Sequence, residues 1–111
     1  MTRSDALRDL LAKVEAGECQ ERGDFRKVFH LTDTIDAAWG TYNKHSLDAA
    51  KALHEVAANA FVVTIERTNS GRWVATLRLE PSVGTFWAEN DNPARAWLVC
   101  ILKALIATED N

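Results

Sequence analysis

Four carboxylate side chains in this sequence have the type and spacing that acid–base catalysis uses. Asp33 and Asp36 form one pair, and Glu89 and Asp91 form another much later in the chain. Two carboxylates brought together can divide the roles of general acid and general base. Nothing in the sequence shows that the two pairs lie close together in space. The sequence therefore favours the interpretation that these carboxylates are solvent-exposed loop residues rather than a catalytic centre.

The histidines and cysteines lack the spacing of a metal site. His30, His45 and His54 are scattered, and Cys19 and Cys100 lie far apart. A structural zinc site usually shows closely spaced ligand pairs such as Cys-x-x-Cys. The serines fit helix caps and turns, and no glycine-rich phosphate loop occurs. We therefore predict no metal, no cofactor and no catalytic residue, and we expect that the protein is not an enzyme.

Three arginines leave an alternative open. A pocket that brought together Arg67, Arg78 or Arg95 would support a small nucleotide-ligand-binding protein or an enzyme, because guanidinium groups bind phosphate oxygens through paired hydrogen bonds. The three residues lie in separate segments of the chain. The sequence does not decide whether they meet.

The charge balance argues against two classes of partner. The 111 residues include 13 basic and 16 acidic side chains, for a formal net charge of −3. Proteins that bind nucleic acids or anionic membranes usually carry a basic field. The longest apolar stretch, residues 96–107, is too short to span a bilayer. We expect no membrane association, and nucleic acid is a disfavoured partner.

The cysteines and the N-terminus predict a cellular compartment. The first residues contain no apolar segment of the kind that directs secretion. Two cysteines in such a chain are typical of the reducing cytoplasm, with a single disulfide as the alternative. Cys100 lies in an apolar run and is predicted to be a core residue. Cys19 lies in the polar stretch GECQERG and is a candidate for exposure.

Hydrophobic periodicity predicts one α+β domain over residues 1–111. Residues 1–17 form a helix, capped by Ser4 or Asp5 and ended by Gly17, with one apolar stripe. Residues 18–45 are predicted as an irregular segment with short helices. Residues 46–108 follow the order α-β-β-β-α, and the three strands form an antiparallel meander. We predict a helix/sheet/helix sandwich in which the N-terminal helix and the last helix enclose the sheet.

The strands have two different sides. Alternation places Phe61, Val63 and Ile65 on the apolar side with their counterparts in the next two strands. The opposite side carries the candidate partner-binding residues, which are Val62, Thr64, Val74, Thr76 and Trp87. We expect the N-terminal helix to cover this side. The alternatives are a patch that binds a partner protein and an uncovered face that forms a homodimer.

The last helix begins at Pro93 after a cap at Asn92 or Asp91. Because its apolar stretch is long, we predict that this helix is the central helix of the fold. The residues predicted to meet the sheet are Trp97, Leu98, Ile101, Leu102 and Leu105.

Several stretches resemble a known family. "LLAKVEAGE", "SLDAAKALHEV", the strand that contains Trp73 and "WAENDNPARAWLVCILKALIA" resemble the phage ABA sandwich domain family of small phage and prophage proteins. The resemblance implies a sandwich fold in a phage-encoded protein, and it brings no established activity. It also implies a host bacterial cytoplasm as the setting, and an unknown host protein as the partner.

The α-β-β-β-α order also looks like a double-stranded-RNA-binding domain. Such a domain binds phosphates with lysines at the start of its last helix. This chain has Arg95 there, beside Glu89 and Asp91, so the basic chemistry is missing. We expect a non-enzymatic protein-interaction module that acts on a host cytoplasmic factor and inhibits, for example, a defence complex. The first alternative is a degenerate RNA-binding module, and the second is the nucleotide-binding protein or enzyme.

Overall fold

The computed structural model describes residues 2–79 and 84–110. Five helices and three strands occur in these residues, in the order α-α-α-α-β-β-β-α. Their bounds are α1 Arg3–Ala16, α2 Gly23–Arg26, α3 Thr32–Asn43, α4 Leu47–Ala57, β1 Phe61–Arg67, β2 Trp73–Leu79, β3 Thr85–Asn90 and α5 Pro93–Asp110. The predicted α+β class and the predicted meander are confirmed.

The first helix starts two residues earlier than the sequence predicts. The Thr2 hydroxyl accepts a hydrogen bond from the Asp5 backbone N–H, and the Asp5 carboxylate accepts one from the Thr2 N–H. This reciprocal pair satisfies two donors that a helix start leaves free, so Thr2 is the cap rather than Ser4 or Asp5. At the other end Gly17 has a φ of 73°, as expected for a glycine that ends a helix.

The segment that the sequence left irregular contains a full helix. Only short helices were expected in residues 18–45, but α3 runs for 12 residues and passes through Gly40 without a break. A Cβ at Gly40 would lie 3.3 Å from the Ala49 Cβ on α4. The close approach of α3 and α4 therefore favours a residue without a side chain, because a methyl group here would push the two helices apart by a few tenths of an ångström. Tertiary packing offsets the low helix propensity of glycine at this position.

The sheet has the order β1-β2-β3 with antiparallel neighbours. Ile65 pairs with Ala75, which pairs with Ala88. The turn between β1 and β2 closes when Thr68 N–H donates to the Arg72 carbonyl, and Gly71 adopts a φ of 85° there. The expectation that Pro81 stops β2 lies outside the described residues.

The prediction that α1 covers the second side of the sheet is wrong. The helix α1 packs against α5, and α5 packs against β2 and β3. The helices α3 and α4 also contact α5 and each other. The layer order is therefore sheet, then α5, then the other helices. The apolar stripe of α1 requires an apolar surface, and α5 provides one on the side away from the sheet.

The side of α5 that meets the sheet also differs from the prediction. The Cys100 thiol lies 3.0 Å from the Ala75 carbonyl oxygen, and the Lys103 ammonium group donates to the Trp87 carbonyl. Leu98 and Leu102, which were expected on the sheet, are each two residues from Cys100 and therefore lie on the opposite side of α5. Trp97 lies on the same side as Cys100 and donates to His54 of α4. The sheet presents Ala75 and Ala88 at this point, so a small residue on α5 fits where a large one would not.

Among the described residues no helix has the length and apolar character needed to cross a bilayer.

Candidate functional site

In the part of the chain that the structure describes, no helix packs on one side of the sheet, and this side carries all five candidate partner-binding residues. We call this side the outer face. Strand register and alternation assign nine residues to it: Val62, Thr64, Glu66, Val74, Thr76, Arg78, Thr85, Trp87 and Glu89. The structure therefore places the five residues on one continuous surface.

The outer face is organised in three rows that run across the strands. Thr64, Thr76 and Trp87 pair directly and form the middle row. Val62, Arg78 and Thr85 form one flanking row, and Glu66, Val74 and Glu89 form the other. Directly paired side chains lie roughly 5 Å apart, so each row is a contiguous strip.

Apolar groups on the outer face are in contact with solvent. The Trp87 residue is 60% exposed and Val62 is 45% exposed, whereas Thr64, Val74 and Thr76 are half-buried by their neighbours. Trp87 lies on β3 and Val62 on β1, with the half-buried Val74 and Thr76 on the strand between them. Tryptophan is enriched in the centres of protein–protein interfaces.

The edge of the sheet at Trp87 is partly closed. Because β3 is an edge strand, some of its backbone groups have no strand partner. The Lys103 Nζ donates to the Trp87 carbonyl at 2.9 Å and lies 5.8 Å from the centre of the indole ring. This lysine blocks one position at which a foreign strand would pair. The geometry favours contact through the face over strand addition at this edge.

Three of the four carboxylates considered for catalysis lie in ion pairs, and two of them share one arginine. Asp36 pairs with Arg22 at 3.2 Å, while Glu89 and Asp91 lie 3.7 Å and 3.6 Å from nitrogen atoms of Arg72. Each of these groups faces a cation instead of another carboxylate. Within residues 2–79 and 84–110, no three histidine, cysteine or acidic side chains are grouped so as to hold a metal ion.

The three arginines do not form one pocket. Arg67 lies beside the Trp73 ring at one end of β1, whereas Arg78 pairs with Val62 at the other end. The Arg95 guanidinium lies 4.4 Å from the centre of the Tyr42 ring and donates to the Tyr42 carbonyl at 3.3 Å. Arg95 therefore joins the start of α5 to α3, and its charge faces an aromatic ring.

A buried polar chain connects three elements, and sequence reasoning missed it. The Trp97 indole N–H donates to His54 Nδ1 at 3.1 Å, and His54 Nε2 lies 2.9 Å from the Phe61 carbonyl oxygen. An indole nitrogen only donates, so Nδ1 is the acceptor and Nε2 carries the hydrogen that Phe61 receives. Both side chains are 8% exposed. Their spacing in the sequence gave no signal of this contact.

A polar cavity lies at the end of α1. It has a volume of about 790 Å³ and is lined by Lys13, Asp24 and residues 17–21. Lys13 pairs with Asp24 at 3.2 Å, and the Asp24 carboxylate also accepts hydrogen bonds from the Gln20 and Glu21 N–H groups. These backbone bonds hold the pKa of Asp24 below its usual value. Lys13 and Asp24 are thus already engaged in structural contacts.

Both cysteines are buried free thiols. The suggestion that Cys19 is exposed is wrong, because its side chain is packed in the core and its N–H donates to the Tyr42 hydroxyl. Burial raises the pKa of Cys19 to about 11 and that of Cys100 to about 12. For Cys19 the Asp24 carboxylate raises the pKa further. The prediction that Cys100 is a core residue is confirmed.

We expect iodoacetamide at pH 8 to modify Cys19 in the folded protein at least about a hundredfold more slowly than in the urea-unfolded chain. A thiol with a pKa of about 11 holds far less thiolate at pH 8 than an ordinary cysteine does. Mass spectrometry of the peptide that contains Cys19, taken after a series of reaction times, measures both rates separately from the reaction of the second free thiol, Cys100. Equal rates in the two states would contradict the burial of Cys19.

Comparison with family models, with curated proteins and with solved structures found no match. The resemblance to the phage ABA sandwich domain family therefore stays an expectation. The structure shows only the coarse part of this expectation, in which helices are followed by a three-stranded antiparallel sheet and a C-terminal helix.

Proposed function

We propose that this protein is a non-enzymatic protein-interaction module and that it binds a partner protein through the outer face. The observation that carries the proposal is the exposure of Trp87 and Val62 on a sheet face with no helix packed on it. Burying an indole and a valine side chain on association removes apolar surface from water, at roughly 25 cal/mol per Å².

The charges described above favour this proposal over the two alternatives. An RNA-binding module would present the arginine at the start of α5 to phosphates, but Arg95 lies against Tyr42. A nucleotide-binding protein would gather its arginines. In this protein Arg67 is the last residue of β1, whereas Arg78 of β2 pairs with Val62 near the first residue of β1. The resemblance to phage proteins directs the search for a partner to host cytoplasmic proteins, including defence complexes.

A photo-activated cross-linker at position 87 tests the proposal. We expect the variant that carries a benzoylphenylalanine in place of Trp87 to form a covalent adduct with a protein when irradiated in bacterial cells. The matched control carries the cross-linker in place of Val56 on α4, because Val56 is apolar and 64% exposed but lies outside the outer face. Adducts are separated by size and identified by mass spectrometry.

The outcome at the two positions decides between surfaces. An adduct from position 87 that is absent at position 56 supports the outer face. Adducts from position 56 alone would move the interface to the helical side, where Leu31 and Val56 border a groove of about 320 Å³. The proposal fails in that case, and it fails equally if neither position gives an adduct.

A further inference from the structure

Part of the outer edge of β1 has backbone groups without a partner. Thr68, the residue after β1, donates its N–H to the Arg72 carbonyl and continues the register of β1 with β2. Along an antiparallel ladder, residues bonded to the neighbouring strand alternate with residues whose N–H and carbonyl groups point away from it. Val63 and Ile65 belong to the second kind. Within residues 2–79 and 84–110 nothing else bonds these groups.

Phe61 shows that residues of this parity point outward. Its N–H donates to the Ala58 carbonyl, and its carbonyl accepts from His54 Nε2. Both bonds lie outside the β1–β2 ladder, and they close the edge at the first residue of the strand. The open part of the edge therefore begins at Val63.

The strand β1 lacks the features that usually protect an edge. Its seven residues pair with β2 without a bulge, and they include no proline and no lysine. At the opposite edge of the sheet Lys103 occupies the Trp87 carbonyl. The helix α5 packs against β2 and β3, so the inward side chains of Val63 and Ile65 are only half-buried, whereas Ala75 of β2 is buried. The edge of β1 thus offers both hydrogen-bonding groups and apolar surface to an added strand.

We propose that a second copy of this chain pairs with this edge, β1 against β1 and antiparallel, so that the two sheets become one continuous sheet. The two-fold axis passes beside Thr64, which lies opposite Thr64 of the partner subunit, and every residue of each strand is then paired. The inference goes beyond the proposed function, because it uses the edge of the sheet and leaves the outer face free.

The sequence of β1 is complementary to itself in this register. On the inward side Val63 pairs with Ile65 of the partner subunit, and by symmetry Ile65 pairs with Val63 of the partner subunit. These β-branched pairs cover the apolar surface that α5 leaves open. The same residues carry the unbonded N–H and carbonyl groups, so each pair exchanges both of its backbone hydrogen bonds. The groups that lack a partner in one chain therefore satisfy those of the other.

The charges and the length of β1 select this register. Glu66 and Arg67 lie at the same end of the strand, and the antiparallel arrangement places them opposite the uncharged Val62 and Phe61 of the partner subunit. A parallel, in-register arrangement would place each charge beside its own copy, which opposes pairing. Moving the axis by one residue leaves only residues 61–65 or 63–67 of each strand paired. The register about Thr64 keeps the whole strand paired.

Sedimentation velocity of the full chain from about 10 μM to about 1 mM tests the pairing. A strand edge buries less than the roughly 800 Å² per partner of a stable interface, so we expect weak, reversible dimerisation. Ile65→Pro should weaken it about tenfold or more, because proline removes an N–H that the partner subunit accepts. The fold of one chain tolerates this change, since that N–H is not bonded to β2.

Two control variants isolate the backbone contribution. Ile65→Ala shortens the same side chain and keeps the N–H, so it should weaken dimerisation less than Ile65→Pro does. Thr85→Pro removes an N–H from the opposite edge of the sheet, because Thr85 has the parity of Trp87, whose carbonyl points outward to Lys103. It should leave dimerisation unchanged. Circular dichroism of every variant checks that the fold is intact.

A charge exchange at Thr64 tests the position of the axis. Thr64→Arg and Thr64→Glu each place two like charges directly opposite one another, so each variant alone should dimerise about tenfold more weakly than the wild type. An equimolar mixture of the two should associate more strongly than either. The same exchange at Thr76 is the control, because Thr76 pairs with Thr64 but lies one strand farther from the axis. It should show no preference for the mixture.

Hydrogen exchange of single amides gives a measurement that needs no variant. The Val63 and Ile65 amides should exchange fast in dilute protein and more slowly as the concentration rises. A wild type that stays monomeric at about 1 mM overturns the proposal. So does a dimer in which these two amides stay unprotected, or an Ile65→Pro variant that folds and associates as strongly as Thr85→Pro. The cross-linker at position 87 probes the outer face, so the failure of one proposal leaves the other standing.

Discussion

Leu98→Ala should lower the free energy of unfolding by about 3 kcal/mol, and Tm by on the order of 15 °C. Leu98 is fully buried in α5, which packs against the sheet on one side and against α1, α3 and α4 on the others. Neighbours on several sides cannot all move to fill the space that the leucine leaves. The loss therefore includes the cost of a cavity as well as the lost burial. Urea denaturation measures the change.

The control for this substitution is Leu31→Ala, which removes the same atoms from a residue that is 68% exposed. It should change the free energy of unfolding by less than about 0.5 kcal/mol. Similar losses for the two variants would contradict the central position of α5 in the fold.

Phe25→Ala should lower the free energy of unfolding by about 3–5 kcal/mol. The Phe25 ring is fully buried, and its centre lies 6.1 Å from the ring centres of both Trp39 and Tyr42. Tyr42 in turn contacts Arg95 of α5. Removing Phe25 therefore loosens the link between the 18–45 segment and the rest of the core, as urea denaturation and hydrogen exchange of α3 will show.

Phe25→Leu separates the two contributions of this ring. Leucine keeps most of the buried apolar volume and loses the aromatic contacts, which are worth about 0.5–1.5 kcal/mol beyond burial. We expect it to retain well over half of the stability that Phe25→Ala loses. A loss below about 1 kcal/mol for Phe25→Ala would show that the aromatic cluster is not part of the cooperative core.

The two cations of α5 have structural roles. Arg95 binds the ring and the carbonyl of Tyr42, and Lys103 binds the Trp87 carbonyl at the edge of the sheet. Each joins α5 to a different layer. The sequence shows only that two charges interrupt an apolar helix. The carbonyl groups that they bind lie far away in the sequence, so the charge pattern of the helix does not reveal them.

The alternation of side chains along the strands identified the candidate residues, and only the tertiary structure showed what packs around them. Val62, Thr64, Val74, Thr76 and Trp87 share a face because side chains alternate along any strand. Whether α1 lies on that face is a different kind of question. The α1 stripe contains Leu7, Leu10 and Val14, and both the outer face and α5 offer apolar surface to it.

The sequence by itself determined α1, α4, α5 and the three strands, the pairing of neighbouring strands and the strand residues that share each face, but it did not show the full length of α3. These follow from local periodicity, helix caps and turns, such as the Ser46 hydroxyl that accepts from Ala49 N–H at the start of α4. Only the tertiary structure decided that α1 packs on α5, that Cys19 is buried and that His54 bonds to Trp97. The physical reason is that apolar burial has no preferred direction, so a stripe of leucines fits any apolar surface. The competition between surfaces is settled when the whole chain packs, and in this protein it leaves the outer face uncovered.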